Sequence, residues 1–335
     1  MLSSNRFLRL VNKFRAHGCA VTFSTVLLCG VCAQPMSAQD LRLGILGTDS
    51  SHAVEFTRIL NDPKAVDHVS GAKIVVAYRG GSATLPFSRD RIVKFTDTLQ
   101  KTWSIPFVPS ISDLCEKSDA ILVLSVDTSA RMRELSEAAH CHKPMFVDKP
   151  LGGSLADARE LAAFLDQQHI SWFSSSSLRY GHEQRPAGVI GAETWGPGKY
   201  IEGFPLDLTY YGIHSIESLY SIMGPGVVQV ARTRSKDTDV ITAVWGDGRI
   251  GTARLIHPES AYGSLLFREG GHIETNPDLL SVGYAPLVAE IVKFVRTGKA
   301  PVSETETLEI FTVMDAAQQS LQNGGAPVHV SNSAP

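Results

Sequence analysis

The chain has 335 residues, 43% of them hydrophobic and 19% charged, with 31 Lys and Arg against 34 Asp and Glu. Residues 1–38 hold four of the cations and no acid, so the remaining stretch of about 297 residues carries a formal charge of −7. That balance excludes nucleic acid as a partner. The length exceeds what a single core usually supports and points to two domains.

The chain opens on Arg6, Arg9, Lys13 and Arg15, then an apolar run from Ala20 to Ala33, then Met36-Ser37-Ala38 with small residues before a cleavage point. This reads as a secretory signal peptide over 1–38, removed near Ala38, which predicts a periplasmic or secreted protein. The apolar core is too short to span a bilayer comfortably, and no later run is long and uncharged enough to be a transmembrane segment. No paired arginine precedes the core, so the route that exports folded proteins has no visible signal, and unfolded export carries no cofactor inside. Three of the five cysteines lie in the leader. Cys115 and Cys141 remain, either to pair in an oxidising compartment or to pack as small apolar residues.

From Leu41, short β-branched runs alternate with helical stretches: Leu41–Leu46, Lys73–Tyr78, Ala120–Val126 and Pro144–Val147, with a helix-like segment after each of the first three. The pattern is that of a doubly wound parallel sheet. Ser154 with Asp157 opens a further helix, and Ile170–Ser174 closes the unit as a strand. After Ser174–Ser177 the texture changes. Strand-like pieces at Lys199–Ile201, Val227–Thr233, Val240–Trp245, Ile250–Ile256 and Ser264–Phe267 are separated by turns such as Gly246-Asp247-Gly248. They predict an open, mostly antiparallel sheet. Helices are expected at Ile213–Met223, Tyr284–Thr297 and Glu304–Asn323.

Three segments in this order carry a resemblance: Leu43-Gly44-Ile45-Leu46-Gly47-Thr48, Asp148-Lys149-Pro150, and Tyr211-Gly212-Ile213-His214. Together with Pro301-Val302-Ser303 before an acidic helix, the chain resembles the Gfo/Idh/MocA oxidoreductases over nearly all of its mature length. The resemblance implies an α/β protein with a Rossmann-type nucleotide-binding domain at 39–175 and a substrate domain at 176–330. It also implies NAD or NADP as cofactor, a sugar, cyclitol or related polyol as substrate, and Lys149 and His214 beside the reacting carbon. Members of the family commonly form homodimers through the open sheet.

The cofactor side differs from the usual fingerprint, which needs glycines where a dinucleotide approaches the backbone. Here Gly47-Thr48-Asp49-Ser50-Ser51-His52 keeps only the first of them, and Asp49 stands where a diphosphate would meet a like charge. The second strand ends at Arg79 rather than an acid, which suits a 2′-phosphate. Ser125-Val126-Asp127-Thr128 replaces a Thr-Pro-Asn loop. Gly44, Gly47, Thr48, Asp49, Ser50, Arg79, Asp127 and Asp148 are the candidate cofactor contacts.

For chemistry, Lys149 is a candidate general acid or base if desolvation lowers its pKa. His214 titrates near working pH, and Glu217 on the same helical face is a candidate to orient it. Tyr210 occupies a position where the family usually has an aspartate and is a candidate phenol donor, with Tyr211 beside it. Arg179, Tyr180, His182, Tyr211 and Glu217 are the candidate substrate contacts. A different possibility is a divalent metal held among Asp49, His52, His182 and His214, with Asp127, Asp148 and Glu217 nearby; a bland one is that Asp49 and His52 only cap the first helix. Three functions follow: an exported oxidoreductase that recycles a tightly bound NAD(P), a cofactor-independent or metal-assisted epimerase, racemase or lyase using Lys149 and His214, and a non-catalytic carbohydrate-binding protein.

Overall fold

A computed structural model describes residues 39–202 and 204–330. The expected signal peptide lies outside the described residues. These form one compact unit with two sheets. The first is parallel, in the order β2-β1-β3-β4-β5, with β1 at Leu41–Leu46, β2 at Ala72–Tyr78, β3 at Ala120–Val123, β4 at Met145–Val147 and β5 at Trp172–Phe173. Five helices run between or beside these strands: α1 (Ser51–Asn61), α2 (Pro86–Lys101), α3 (Ile111–Lys117), α4 (Thr128–Ala139) and α5 (Leu155–Gln167). Because β1 lies between β2 and β3, the strand order reverses there, and the crevice at the carboxyl ends of β1 and β3 is where such sheets take ligands.

Local chemistry explains where the helices begin. Ser50, Ser110, Asp127 and Ser154 each accept a hydrogen bond from a first-turn backbone N–H of α1, α3, α4 and α5. Asp49 and His52 are therefore not the caps of α1. Gly47 has φ +92°, and a Cβ there would lie 2.5 Å from the Ser125 backbone nitrogen, so the β1–α1 turn admits only glycine. Gly44, expected at the cofactor, instead sits within β1, where a Cβ would press on Leu114 and Ser118 of the α3 segment at 3.0 Å. Cys115 of α3 and Cys141 beyond α4 are disulfide-bonded, with Cα atoms 5.7 Å apart.

The second sheet has seven strands in the order β11-β10-β6-β9-β8-β7-β12. They are β6 (Val189–Pro197), β7 (Val227–Arg234), β8 (Thr238–Trp245), β9 (Ile250–Ile256), β10 (Gly263–Arg268), β11 (Ile273–Asn276) and β12 (Val328–His329). Only β6 and β9 pair in parallel, so the sheet is mostly antiparallel as expected. The strand expected at Lys199–Ile201 is not there; the real one, β6, ends two residues earlier. Its sequence VIGAETWGP, with two glycines and an internal Glu, lacks the alternation that marks a half-buried strand.

Helix α6 (Gly212–Met223) and α8 (Glu304–Gln322) pack on this sheet, and α6 is buried at every residue except His214. Helix α7 (Ala285–Thr297) does something the domain division at 175/176 did not anticipate. Its Leu287, Val288, Ile291 and Phe294 join Leu43, Ile45, Phe56 and Phe146 in one apolar cluster, so a late helix completes the first half. A second cluster runs from Val123 and Leu161 to Ile213, Leu255 and Phe311, tying both sheets into one core. Burial of each large apolar side chain contributes roughly 1.5–3 kcal/mol. Among the described residues no helix is long and apolar enough to cross a membrane.

Candidate functional site

Strand β4 delivers Asp148 and Lys149 to the carboxyl edge of the parallel sheet, and α6 brings His214 on its first turn against the same space. Between them is a cavity of about 270 Å³ bordered by Lys149, His214, Tyr210, Tyr211, His52 and Tyr284. It continues into a niche of about 40 Å³ among Ser50, Ser51, Arg91, Val126, Asp148 and Lys149. Three larger surface hollows, about 520 Å³ beside Arg268 and Glu274, about 530 Å³ over the disulfide and about 340 Å³ beside Trp172 and Glu304, border neither Lys149 nor His214.

Lys149 is held by a buried scaffold. The Arg131 guanidinium, 1% exposed, donates to the carbonyls of Asp148 at 2.8 Å, of Pro150 and Leu151, and of Ser125. This fixes the main chain on both sides of Lys149. Burial lowers the lysine's pKa, against the pull of Asp148 and Glu217, and its Nζ lies 5.0 Å from the centre of the Tyr210 ring. Tyr210 packs edge-on against Phe87, and burial pushes its phenol up, so it stays protonated as a donor. Its loop is anchored by fully buried Arg232, which bonds Asp207 at 2.8 Å and Asp239 at 2.9 Å.

His214 is driven well below its ordinary pKa by burial, then by Lys149 and His52, and is neutral. Its Nδ1 lies 2.6 Å from Ser176 Oγ, which also accepts from the Leu178 N–H at 3.2 Å. The direction of the Ser176–His214 bond follows the imidazole tautomer, and in either case the bond fixes the ring's orientation. Glu217 does not touch the imidazole. Its carboxylate accepts the Ser176 N–H at 2.9 Å, so it positions His214 through the serine.

Sequence reasoning placed other residues less well. Arg179, expected at the substrate, is 3% exposed; its guanidinium pairs with Glu306 and lies 3.7 Å from Glu217, inside the fold. Tyr180 packs into the apolar cluster around Phe56, and His182 follows a short 3-10 turn; neither borders the cavity. Tyr211 does border it. Asp127 serves as the α4 cap. Asp148 accepts from His52 Nδ1 at 2.7 Å; burial raises its pKa, but His52, Lys149 and Arg131 more than offset this and hold it low. The candidate metal ligands do not converge: among the described residues no group of three or more His, Cys, Asp or Glu is arranged to hold an ion. Two contributors were missed altogether. Arg91 lies on α2 without any motif around it, and Tyr284 stands at the start of α7, over 100 residues from the rest of the first half.

The dinucleotide fingerprint region is built differently from a glycine-lined diphosphate seat. Thr48 N–H bonds the Arg79 carbonyl at 2.9 Å, and His52 N–H bonds Ser50 Oγ at 3.2 Å. Asp49 is fully buried and turned inward, accepting Ser88 Oγ–H at 2.5 Å and the Val126 N–H at 3.2 Å. Burial raises its pKa against those bonds. The N–H groups of Thr48, His52 and Val126 are thus already engaged within the chain, with Asp49 taking that of Val126, and the residues present do not fit a diphosphate in this conformation. Arg79 remains exposed at the end of β2.

Comparisons with known proteins agree on architecture. GenD2 from gentamicin A biosynthesis, solved with NAD, superposes with a TM-score of 0.67 at 14% identity, covering 88% of this chain and 97% of that one. Myo-inositol 2-dehydrogenase from Lactobacillus plantarum gives 0.67 at 15% identity, covering 88% and 100%. Myo-inositol dehydrogenase from Lactobacillus casei, solved with NAD(H) and myo-inositol, gives 0.66 at 13% identity, covering 89% and 98%. The chain shares the fold of these dehydrogenases. A Salmonella typhimurium protein named "Putative oxidoreductase YceM" is 30% identical over 93 residues, a match spanning 28% of this chain and 29% of that protein. No protein-family model matches the chain.

Proposed function

We propose that this chain is a Gfo/Idh/MocA-type oxidoreductase acting on a sugar, cyclitol or related polyol in the cavity between its two sheets. The observation that carries the reading is the convergence of Lys149 and His214, from two different halves, on one cavity in a fold shared with inositol dehydrogenases. Lys149, with its lowered pKa, takes the proton of a substrate hydroxyl as the carbon is oxidised, or returns it in reduction. His214 Nε2 and the Tyr210 phenol hydrogen-bond neighbouring hydroxyls and fix the substrate's orientation. The neighbours solved with NAD support NAD(P) as redox partner; for this to bind, Asp49 must first release Ser88 and Val126. Export to the periplasm or medium belongs to the same proposal, and the Cys115–Cys141 disulfide supports it. So does a homodimer through the sheet face bearing Trp195, Phe267, Ile250 and Val244, which are half-buried or exposed.

A second reading is favoured by one observation: His52 stands in place of the third fingerprint glycine, borders the cavity, and is held by Asp148. A histidine with Nδ1–H on a carboxylate presents Nε2 as a base. With Lys149 and His214 it suffices for proton transfer beside a carbonyl, as in an epimerase, racemase or lyase, without nicotinamide. The deciding experiment is denaturing release and mass spectrometry of small molecules from protein taken from its native exported fraction. Stoichiometric NAD(H) or NADP(H) supports the oxidoreductase; its absence from protein that still turns over a carbohydrate favours the second reading.

A further inference from the structure

The 40 Å³ niche has a character that the proposed polyol chemistry does not use. Arg91 borders both it and the larger cavity. Its guanidinium stacks on Phe87, 3.5 Å from the ring centre, and Nε donates to the Phe87 carbonyl at 2.8 Å. Its Nη2 is buried and finds no acceptor among the described residues, and among them the guanidinium forms no ion pair within 4 Å. A buried guanidinium N–H without an acceptor is costly unless a ligand supplies one. Lys149 borders the same niche, and so does the first turn of the 11-residue helix α1 at Ser50 and Ser51. The one carboxylate there, Asp148, takes His52 Nδ1 on Oδ2, while its Oδ1 has no partner among the described residues and is the one acceptor that borders the niche unpaired.

Arg91 Nη2 and Lys149 Nζ therefore face a single unpaired acceptor, Asp148 Oδ1, in a small space open to the larger cavity. A carboxylate head, with two oxygens and one negative charge, suits such a space. We propose that the niche is a carboxylate subsite and that the substrate is an acidic polyol, a sugar acid with its carboxylate against Arg91 and Lys149 and its hydroxyls in the 270 Å³ cavity. This rests on the reading of that cavity as the substrate site. It adds a charge requirement that a neutral cyclitol does not meet, and it makes Arg91 the specificity determinant.

The test compares D-gluconate with sorbitol, its neutral counterpart of the same chain length, by calorimetric titration of the full mature chain. Gluconate should bind at least about tenfold more tightly. In Arg91→Gln that preference should fall below about threefold while sorbitol still binds, which also shows that the variant is folded; Arg91→Lys should recover part of it. Equal binding of the two ligands, or a preference that survives Arg91→Gln, overturns the carboxylate subsite and leaves the polyol site standing. Failure of both ligands to bind removes both readings, and binding of sorbitol without gluconate overturns the carboxylate subsite alone. Displacement of gluconate by ADP assigns the positive niche to a cofactor phosphate and likewise overturns the proposal.

Discussion

Breaking the link between Cys115 and Cys141 gives the most direct quantitative check on this structure. The disulfide closes a loop 26 residues long in sequence, from α3 through β3 and α4. In the chain-entropy treatment, a loop of that size removes freedom from the unfolded chain worth about 3.5 kcal/mol at 25 °C. With an unfolding entropy of roughly 2 cal/mol/K per residue over about 297 residues, the same loss lowers Tm by about 6 °C. The double variant Cys115→Ala, Cys141→Ala removes little else, since Cys115 is a small side chain on the wall of the core. Urea unfolding should place this variant about 3.5 kcal/mol below the oxidised wild type, and reduced wild type should match the variant. A variant within about 1 kcal/mol of the oxidised protein, or two free thiols titrated in protein taken from its native compartment, would refute both the link and the export argument built on it.

Two further outcomes follow from buried charges. Burial pushes the Glu134 carboxyl up to about 7 from 4.5 in the free chain, while its bond from Ser125 opposes the shift. The folded state thus holds this proton more tightly, so this group's contribution is fully present below about pH 4.5 and costs about 3 kcal/mol as pH rises to 7. Glu134→Gln should abolish that slope and be the more stable protein at pH 8; parallel pH profiles for the two would sink the argument. Arg131→Met leaves the carbonyls of Ser125, Asp148, Pro150 and Leu151 without their donor and should cost on the order of 4 kcal/mol. Because those carbonyls flank Lys149, ligand affinity should fall with stability; unchanged affinity would show that Lys149 is placed by other contacts.

Asp49 shows how a residue read from sequence changes meaning in three dimensions. As a letter in a fingerprint it predicts a carboxylate facing a diphosphate. In the fold it turns inward and ties together three segments, the β1–α1 turn, α2 through Ser88 and the β3–α4 loop through Val126. Glu217 makes the same point: its helical spacing to His214 is right, but the carboxylate goes to the backbone of Ser176 and reaches the imidazole only through that residue. Arg179 looks like a substrate contact in the sequence because its partner, Glu306, lies 127 residues further on.

What the amino-acid sequence determined by itself is the part governed by local periodicity and capping. Alternating apolar residues set β1, β2 and β9 almost to the residue, helical spacing set α6, α7 and α8 within a residue at either end, and Ser154 opened α5 as its side chain requires. The order of the Gly47, Lys149 and His214 motifs was enough to indicate the two-sheet architecture. Only the tertiary structure decided which charges face a cavity and which are neutralised inside. It joined α7 to the first half, paired His52 with Asp148 across 96 residues, and left the Arg91 guanidinium beside an acceptor-poor niche. The physical reason is range: a helix or strand is selected by neighbours within a few positions, whereas the state of a buried charge depends on partners that the chain brings close only after it has folded.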